Sequence, residues 1–243
     1  MRYAKRGKLR FTSHRDVARA FERALRRAGL PMAYSQGFSP HPKVSWLGAA
    51  PTGAASEAEY LELQLVDRVD PELVCAELDA ALPDGLAVLE AVVARGGALA
   101  DRMEASRWDI EVPGVPVEQL AGAVAALRDA PEARVERMTK KGMRAIDAHA
   151  AIVSMQVSAG PAGAAGSDPV TGCGILSVVV RQASPTVRPD DVLSALDVVA
   201  GLRPPVPAKA TRMAQGRLDD DGGLVDPLGA DRVPTGWPSG AVR

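Results

Sequence analysis

Ser13-His14-Arg15-Asp16-Val17-Ala18-Arg19-Ala20-Phe21-Glu22-Arg23-Ala24-Leu25-Arg26-Arg27-Ala28-Gly29 is the stretch that organises the chain. It opens with a helix-starting box, in which Ser13 can cap and Asp16 follows three residues on. Gly29 is a natural stop. At 100° per residue, Val17, Phe21, Ala24, Leu25 and Ala28 form one stripe, the core face, while Arg15, Arg19, Arg23 and Arg26 form the opposite stripe. Such an arginine row is either a solvated face or an anion-binding ridge, and it contains little acid to balance it.

Working outward, Lys8–Thr12 reads as a strand before this helix and Lys43–Leu47 as a strand after it. Tyr60–Val66 alternates Leu61, Leu63 and Leu65 with Glu62 and Gln64, the pattern of a half-buried strand. Asp70-Pro71 opens a second helix with proline at its first position, and Leu86–Val93 reads as a strand. The order β-α-β-β-α-β is that of a ferredoxin-like unit.

The second half roughly repeats it. A strand holds Trp108, Ile110 and Val112, and a helix spans Pro116–Ala130. Ala133–Met138 and Met143–His149 flank the turn Thr139-Lys140-Lys141-Gly142. Strands follow at Ile152–Val157 and Ile175–Arg181, with a Gly/Ala/Ser/Pro-rich stretch, Pro161–Gly172, between them that reads as a mobile loop. Pro189–Val199 is a helix and Lys209–Met213 a closing strand. The expected architecture is α+β: two ferredoxin-like half-domains packed together, over 1–98 and 105–215, with a disordered tail over 216–243.

The net charge of −1 hides an asymmetry. Residues 1–50 hold eleven Lys or Arg against Asp16 and Glu22, a balance of +9, whereas residues 51–110 hold thirteen acids against four Arg, a balance of −9. Either the basic segment meets an anionic partner or the two segments neutralise each other in the fold. No run approaches the length of a membrane span, and no apolar stretch follows the basic N-terminus as in a secretory signal. Cys75 and Cys173 are far apart and sit in apolar contexts, so both read as buried reduced thiols. These features predict a cytoplasmic protein with no membrane association.

The connection Tyr34-Ser35-Gln36-Gly37-Phe38-Ser39-Pro40-His41-Pro42-Lys43 crowds rings, prolines and a cation together. Rings beside cations suit single-stranded nucleic acid, because bases stack while phosphates pair with Arg or Lys. Arg15, Arg19, Arg23, Arg26, Tyr34, Phe38, His41 and Lys43 are therefore the candidate RNA-binding residues; the bland alternative makes Tyr34 and Phe38 core plugs. His14 and His41 are candidate general acids or bases for metal-free RNA cleavage, although structural or RNA-contacting roles suit them better. A metal site from His14, His41 and Glu59 has no supporting ligand spacing. Lys140-Lys141, with Arg134, Arg137 and Arg144, makes a second basic patch that is either solvated or an extension of the first. There is no Walker A loop, Gly-x-Gly-x-x-Gly, His-Glu-x-x-His or Gly-x-Ser-x-Gly. Two distant cysteines cannot hold an iron–sulfur cluster alone. No metal or cofactor is expected on this chain, and a non-catalytic role is favoured.

Phe11-Thr12-Ser13-His14-Arg15-Asp16, Phe21-Glu22-Arg23-Ala24-Leu25-Arg26-Arg27-Ala28-Gly29-Leu30-Pro31 and the Tyr34–Lys43 connection closely resemble the radical-SAM-linked protein family, a bacterial domain of unknown function. Gly53-Ala54-Ala55-Ser56-Glu57-Ala58-Glu59-Tyr60 is similar to its pattern too, as more loosely is Lys141-Gly142-Met143-Arg144-Ala145-Ile146-Asp147. Members occur fused to, or encoded beside, radical SAM proteins, often near a ribonuclease of the E/G type. The resemblance implies an accessory role near RNA, with tRNA or another single-stranded RNA as candidates, or near a separate radical enzyme, which would carry the iron–sulfur cluster and S-adenosylmethionine. It implies no catalytic residue. The leading expectation is an RNA-binding accessory protein; the alternatives are a metal-independent ribonuclease or RNA-modifying enzyme and a protein–protein adaptor whose acidic segment 57–104 binds a basic partner.

Overall fold

The computed structural model describes residues 1–139, 142–160 and 172–232. The fold is mixed α+β. Its first half contains β1 (Arg2–Lys5), α1 (His14–Arg27), β2 (Val44–Leu47), β3 (Ala55–Leu63), α2 (Pro71–Ala81) and β4 (Leu86–Glu90). The second contains β5 (Ala105–Pro113), α3 (Val117–Asp129), a hairpin of β6 (Arg134–Thr139) and β7 (Gly142–Asp147), the single turn α4 (Ala148–Ala151), β8 (Ile152–Ala159), β9 (Cys173–Arg181), α5 (Pro189–Ala200) and β10 (Lys209–Leu218). A two-residue strand, β11 (Leu224–Val225), follows. No described helix is long and apolar enough to cross a membrane.

Local chemistry sets the helix ends. The Ser13 hydroxyl accepts from the Asp16 amide at 3.3 Å and donates to Asp16 Oδ2 at 2.7 Å. Gly29 leaves α1 at φ 62°, where a side chain would be strained. Asp70 Oδ1 accepts from the Glu72 amide at 2.9 Å, ahead of Pro71. Ser13→Ala will lower stability by about 1 kcal/mol, read as a shift in the urea midpoint at constant slope.

One nine-stranded sheet runs through the molecule in the order β4-β1-β3-β10-β5-β9-β8, with β2 also on β3 and β11 on β10; β6 and β7 form a separate two-stranded sheet. The halves meet where β3 and β10 pair in parallel, Ala55 against Thr211 and Ser56 against Arg212. β2 takes the other end of β3, from Tyr60 to Leu63. The strands therefore fork, and residues 48–54 fill the fork.

α1 and α2 cover one core of Tyr3, Phe21, Leu25, Leu61, Val74 and Leu78. α3 and α5 cover another, built on Trp108, Ile110, Leu120, Leu127, Leu176 and Leus on α5 such as Leu196. A small cluster of Ala58, Tyr60, Leu99 and Leu228 forms a third core patch.

The structure corrects three expectations. Lys8–Thr12 is not a strand: Gly7–Phe11 is a 3-10 turn, closed by the Thr12 hydroxyl donating to the Leu9 carbonyl at 2.6 Å. The first strand lies earlier, where an irregularity between Tyr3 and Lys5 buries Tyr3, Ala4 and Lys5 in succession and erases the alternation. β3 begins at Ala55 rather than Tyr60, because its first turns of pleat bury Ser56 and Glu59 and so read as polar. The segment after Gly216, expected to be disordered, is ordered through Arg232. Asp219 Oδ1 accepts from the Asp221 and Gly223 amides at 3.1 and 2.6 Å, forming the β10–β11 turn. Arg232 then grips Glu90 at 2.5 and 2.7 Å, and Arg102 meets Asp231 at 2.5 Å. The remainder of that tail and residues 161–171 of the expected loop lie outside the described residues.

Candidate nucleic-acid interface

Burying Val17, Ala20, Phe21, Ala24 and Leu25 turns the other side of α1 to solvent. Arg15, Arg19, Arg23 and Arg26 are all exposed. Arg19 lies 3.8 Å from Asp16 and Arg26 lies 3.9 Å from Glu22, both loose pairs within the helix; Arg15 and Arg23 make no ion pair among the described residues. Exposed pairs of this kind contribute little and yield readily to a competing anion.

Among the described residues, the acidic segment 51–110 makes no ion pair with this ridge. Glu57 is taken by Arg6, whose Nε donates at 2.7 Å. Glu59 is taken by Arg212 on β10, and Glu90 by Arg2 at 3.7 Å and Arg232 at 2.5 Å. These arginines sit on β1, just after it, on β10 and in the C-terminal segment, and none is on α1.

The Tyr34–Lys43 connection is a zipped loop. Its neck is held by the Lys43 amide to the Ala33 carbonyl at 2.8 Å and the Ser35 amide to the His41 carbonyl at 2.9 Å. The His41 amide donates to Ser35 Oγ at 3.0 Å. Ala33 and Lys43 in turn bond to Gln64, at 2.8 and 3.1 Å, tying the neck to the end of β3. Gly37, at φ 120°, turns the tip. Phe38 stands there fully exposed, and Tyr34 is 46% exposed, so neither plugs a core. His41 and Lys43 are exposed on the returning limb.

His14, also exposed, lies edge-on to Trp46 with ring centroids 5.2 Å apart. Trp46 packs on the buried Phe21 at 5.3 Å, so the imidazole sits at the outer end of an aromatic stack rooted in the core. No hydrogen bond joins His14 to His41 among the described residues, and each occupies its own element.

The proposed second basic patch is only partly available. Arg137 turns inward to Asp191 and donates to the Thr186 carbonyl at 3.1 Å. Arg134 pairs with Glu132 at 2.9 Å. Arg144 is exposed, and Lys140-Lys141 lie outside the described residues.

Two features escaped the sequence reading. Phe11 is 60% exposed, with the Arg10 guanidinium 4.6 Å from its ring centre. The second is a buried polar cluster at the sheet fork. Glu59 accepts from Arg212 and, at 3.0 Å, from the Ala50 amide. Lys5 Nζ donates to the Ala50 and Pro51 carbonyls at 3.4 Å. Gln215 donates to the Ala58 carbonyl at 2.6 Å, and Arg212 lies 5.3 Å from the Trp108 ring centre. Burial pushes the Lys5 ammonium pKa down, opposed by Glu59; burial and then Glu59 push the Tyr3 phenol well up. The signal for this cluster was charged residues inside apolar runs, which sequence periodicity reads as surface. A cavity of about 320 Å³, lined by Leu63, Leu65, Val74, Val92, Leu99 and Leu228 among others, includes none of the ridge arginines and no residue of the Tyr34–Lys43 loop in its lining.

The exposed surface can thus hold a polyanion on guanidinium groups and stack planar groups on rings, and the buried cluster secures the sheet behind it. A comparison with curated proteins gives no match. A family model covers residues 1–189, which include the ridge, the zipped loop and the fork residues of β1 and β3, and on that match the chain belongs to the bacterial family described as "uncharacterized protein conserved in bacteria (DUF2344)".

Proposed function

We propose that the protein is an RNA-binding accessory protein of the cytoplasm, which presents single-stranded RNA, tRNA among the candidates, to a separate enzyme. The observation that carries this reading is an exposed arginine ridge, with no ion pair to the acidic segment 51–110 among the described residues, on the same half-domain as the fully exposed Phe38. Phosphates provide the negative charge that would pair with the arginines, and bases provide flat partners for the ring. The open sheet is a poorer platform: β5 alternates buried Trp108, Ile110 and Val112 with Arg107, Asp109 and Glu111, so its polar positions offer no ring to a base.

Each half is read here as a ferredoxin-like unit. The strand orders β4-β1-β3-β2 and β10-β5-β9-β8, with α1 and α2 in the first half and α3 and α5 in the corresponding places of the second, support that reading. The identity of the enzyme rests on the resemblance to radical-SAM-linked proteins. The partner would carry the iron–sulfur cluster and S-adenosylmethionine, and this chain would contribute RNA binding alone.

Fluorescence anisotropy with a labelled oligouridine across a salt series tests this. Each phosphate neutralised on a single strand adds about −0.7 to the slope of log affinity against log salt, so four arginines give roughly −3, and nearly two decades are lost from 50 to 200 mM salt. Phe38→Ala will weaken binding by about 1–3 kcal/mol. Salt-independent or absent binding would replace this reading with the protein adaptor. Cleavage that persists in EDTA and disappears in His14→Ala or His41→Ala would replace it with the ribonuclease.

A further inference from the structure

α1 has exposed rings beyond both of its ends. Phe11 precedes the cap Ser13 by two residues, in a 3-10 turn pinned by the Thr12 hydroxyl and by the Gly53 amide, which donates to the Arg10 carbonyl at 2.8 Å. Arg10 lies against this ring, leaving the rest of it in solvent. The zipped loop carrying Phe38 lies toward the other end. Trp46, near the close of β2, touches His14 in the first turn of α1. β2 runs back from there to Val44, opposite Leu63, and the loop neck is bonded to Gln64 just beyond. The chain leaving α1 at Gly29 enters the same end through Met32, which bridges to Leu65.

The fourteen residues of α1 span about 21 Å. A stacked strand rises about 3.4 Å per nucleotide, so that length matches roughly six nucleotides. Arg15, Arg19 and Arg23 follow one another at about 6 Å of helix rise, close to every second phosphate of such a strand.

We propose that Phe11 and Phe38 are the two end stops of one binding track, each stacking a base, so that the preferred ligand is a single-stranded RNA of about six nucleotides held along α1. This deepens, and rests on, the RNA-binding reading, and adds Phe11 and Arg10 to the site. The turn carrying Phe11 is pinned, and the loop carrying Phe38 is closed at its neck, before ligand arrives, which limits the ordering cost of stacking.

The test is the affinity of labelled oligouridines of increasing length for the full chain and for Phe11→Ala, Phe38→Ala and the double variant. For the native protein, affinity rises steeply to about six nucleotides and then flattens. Each single variant loses about tenfold or more on the longer oligomers, with the step moved to a shorter length, and the double variant loses the step. Phe11→Tyr keeps a ring and retains the native curve, which separates stacking from a general disturbance of the turn. If Phe11→Ala leaves the curve unchanged while Phe38→Ala weakens it, the two-ended track is wrong and the RNA reading stands. If no oligomer of any length binds in a salt-dependent way, both fail.

Discussion

Glu59→Ala will destabilise the protein by about 3–5 kcal/mol, the range for removing one partner of a buried ion pair. Glu59 is only 2% exposed and Arg212 only 4%, so the guanidinium left behind has no water to turn to. Its remaining side-chain acceptor, Ser56 Oγ, lies at 3.5 Å, and the Trp108 ring offers a weaker contact. Lys5, buried beside them, loses the carboxylate that offsets its own burial. The Ala50 amide loses its acceptor, so the loop in the fork loosens as well. Urea unfolding measures the loss. Changing both partners together, Glu59→Leu with Arg212→Met, will recover most of it, because an apolar pair of similar volume leaves no charge unmatched. A Glu59→Ala protein within 1 kcal/mol of the native one, on the same scale, would show that water reaches the cluster.

Reversing the ridge will have the larger effect on binding. With Arg15, Arg19, Arg23 and Arg26 all changed to Glu, affinity for single-stranded RNA at 50 mM salt will fall by about a hundredfold or more, and the salt slope will collapse toward zero. The fold will survive. All four side chains are exposed, and the pairs to Asp16 and Glu22 are loose ones whose reversal costs no more than about 0.5 kcal/mol each. Anisotropy and urea unfolding on the same preparation separate the two effects. A folded quadruple variant that still binds RNA as the native protein does would move the interface off α1.

The contrast between these variants follows from where each charge sits. Among the described residues, Arg15, Arg19, Arg23 and Arg26 make no ion pair beyond loose contacts on their own helix, whereas those at positions 6, 102, 137, 212 and 232 each hold a carboxylate from elsewhere in the chain. Composition counts both kinds alike.

The amphipathic course of α1, its Ser13 start and its Gly29 stop were determined by the sequence itself, because capping and 3.6-residue periodicity depend only on near neighbours. So were the β6–β7 hairpin and the Asp70-Pro71 entry to α2. Tertiary structure alone decided the true first strand, the early start of β3 and the ordered segment through Arg232. The first follows from the irregularity against β3 that buries Tyr3, Ala4 and Lys5 in succession, and the other two depend on charged residues whose partners lie far along the chain: Glu59 with Arg212, Asp231 with Arg102, and Arg232 with Glu90. A pattern of hydrophobicity assigns such residues to solvent, since burying a charge costs more than any local preference repays, and only the folded chain supplies the opposite charge that makes the interior position tolerable.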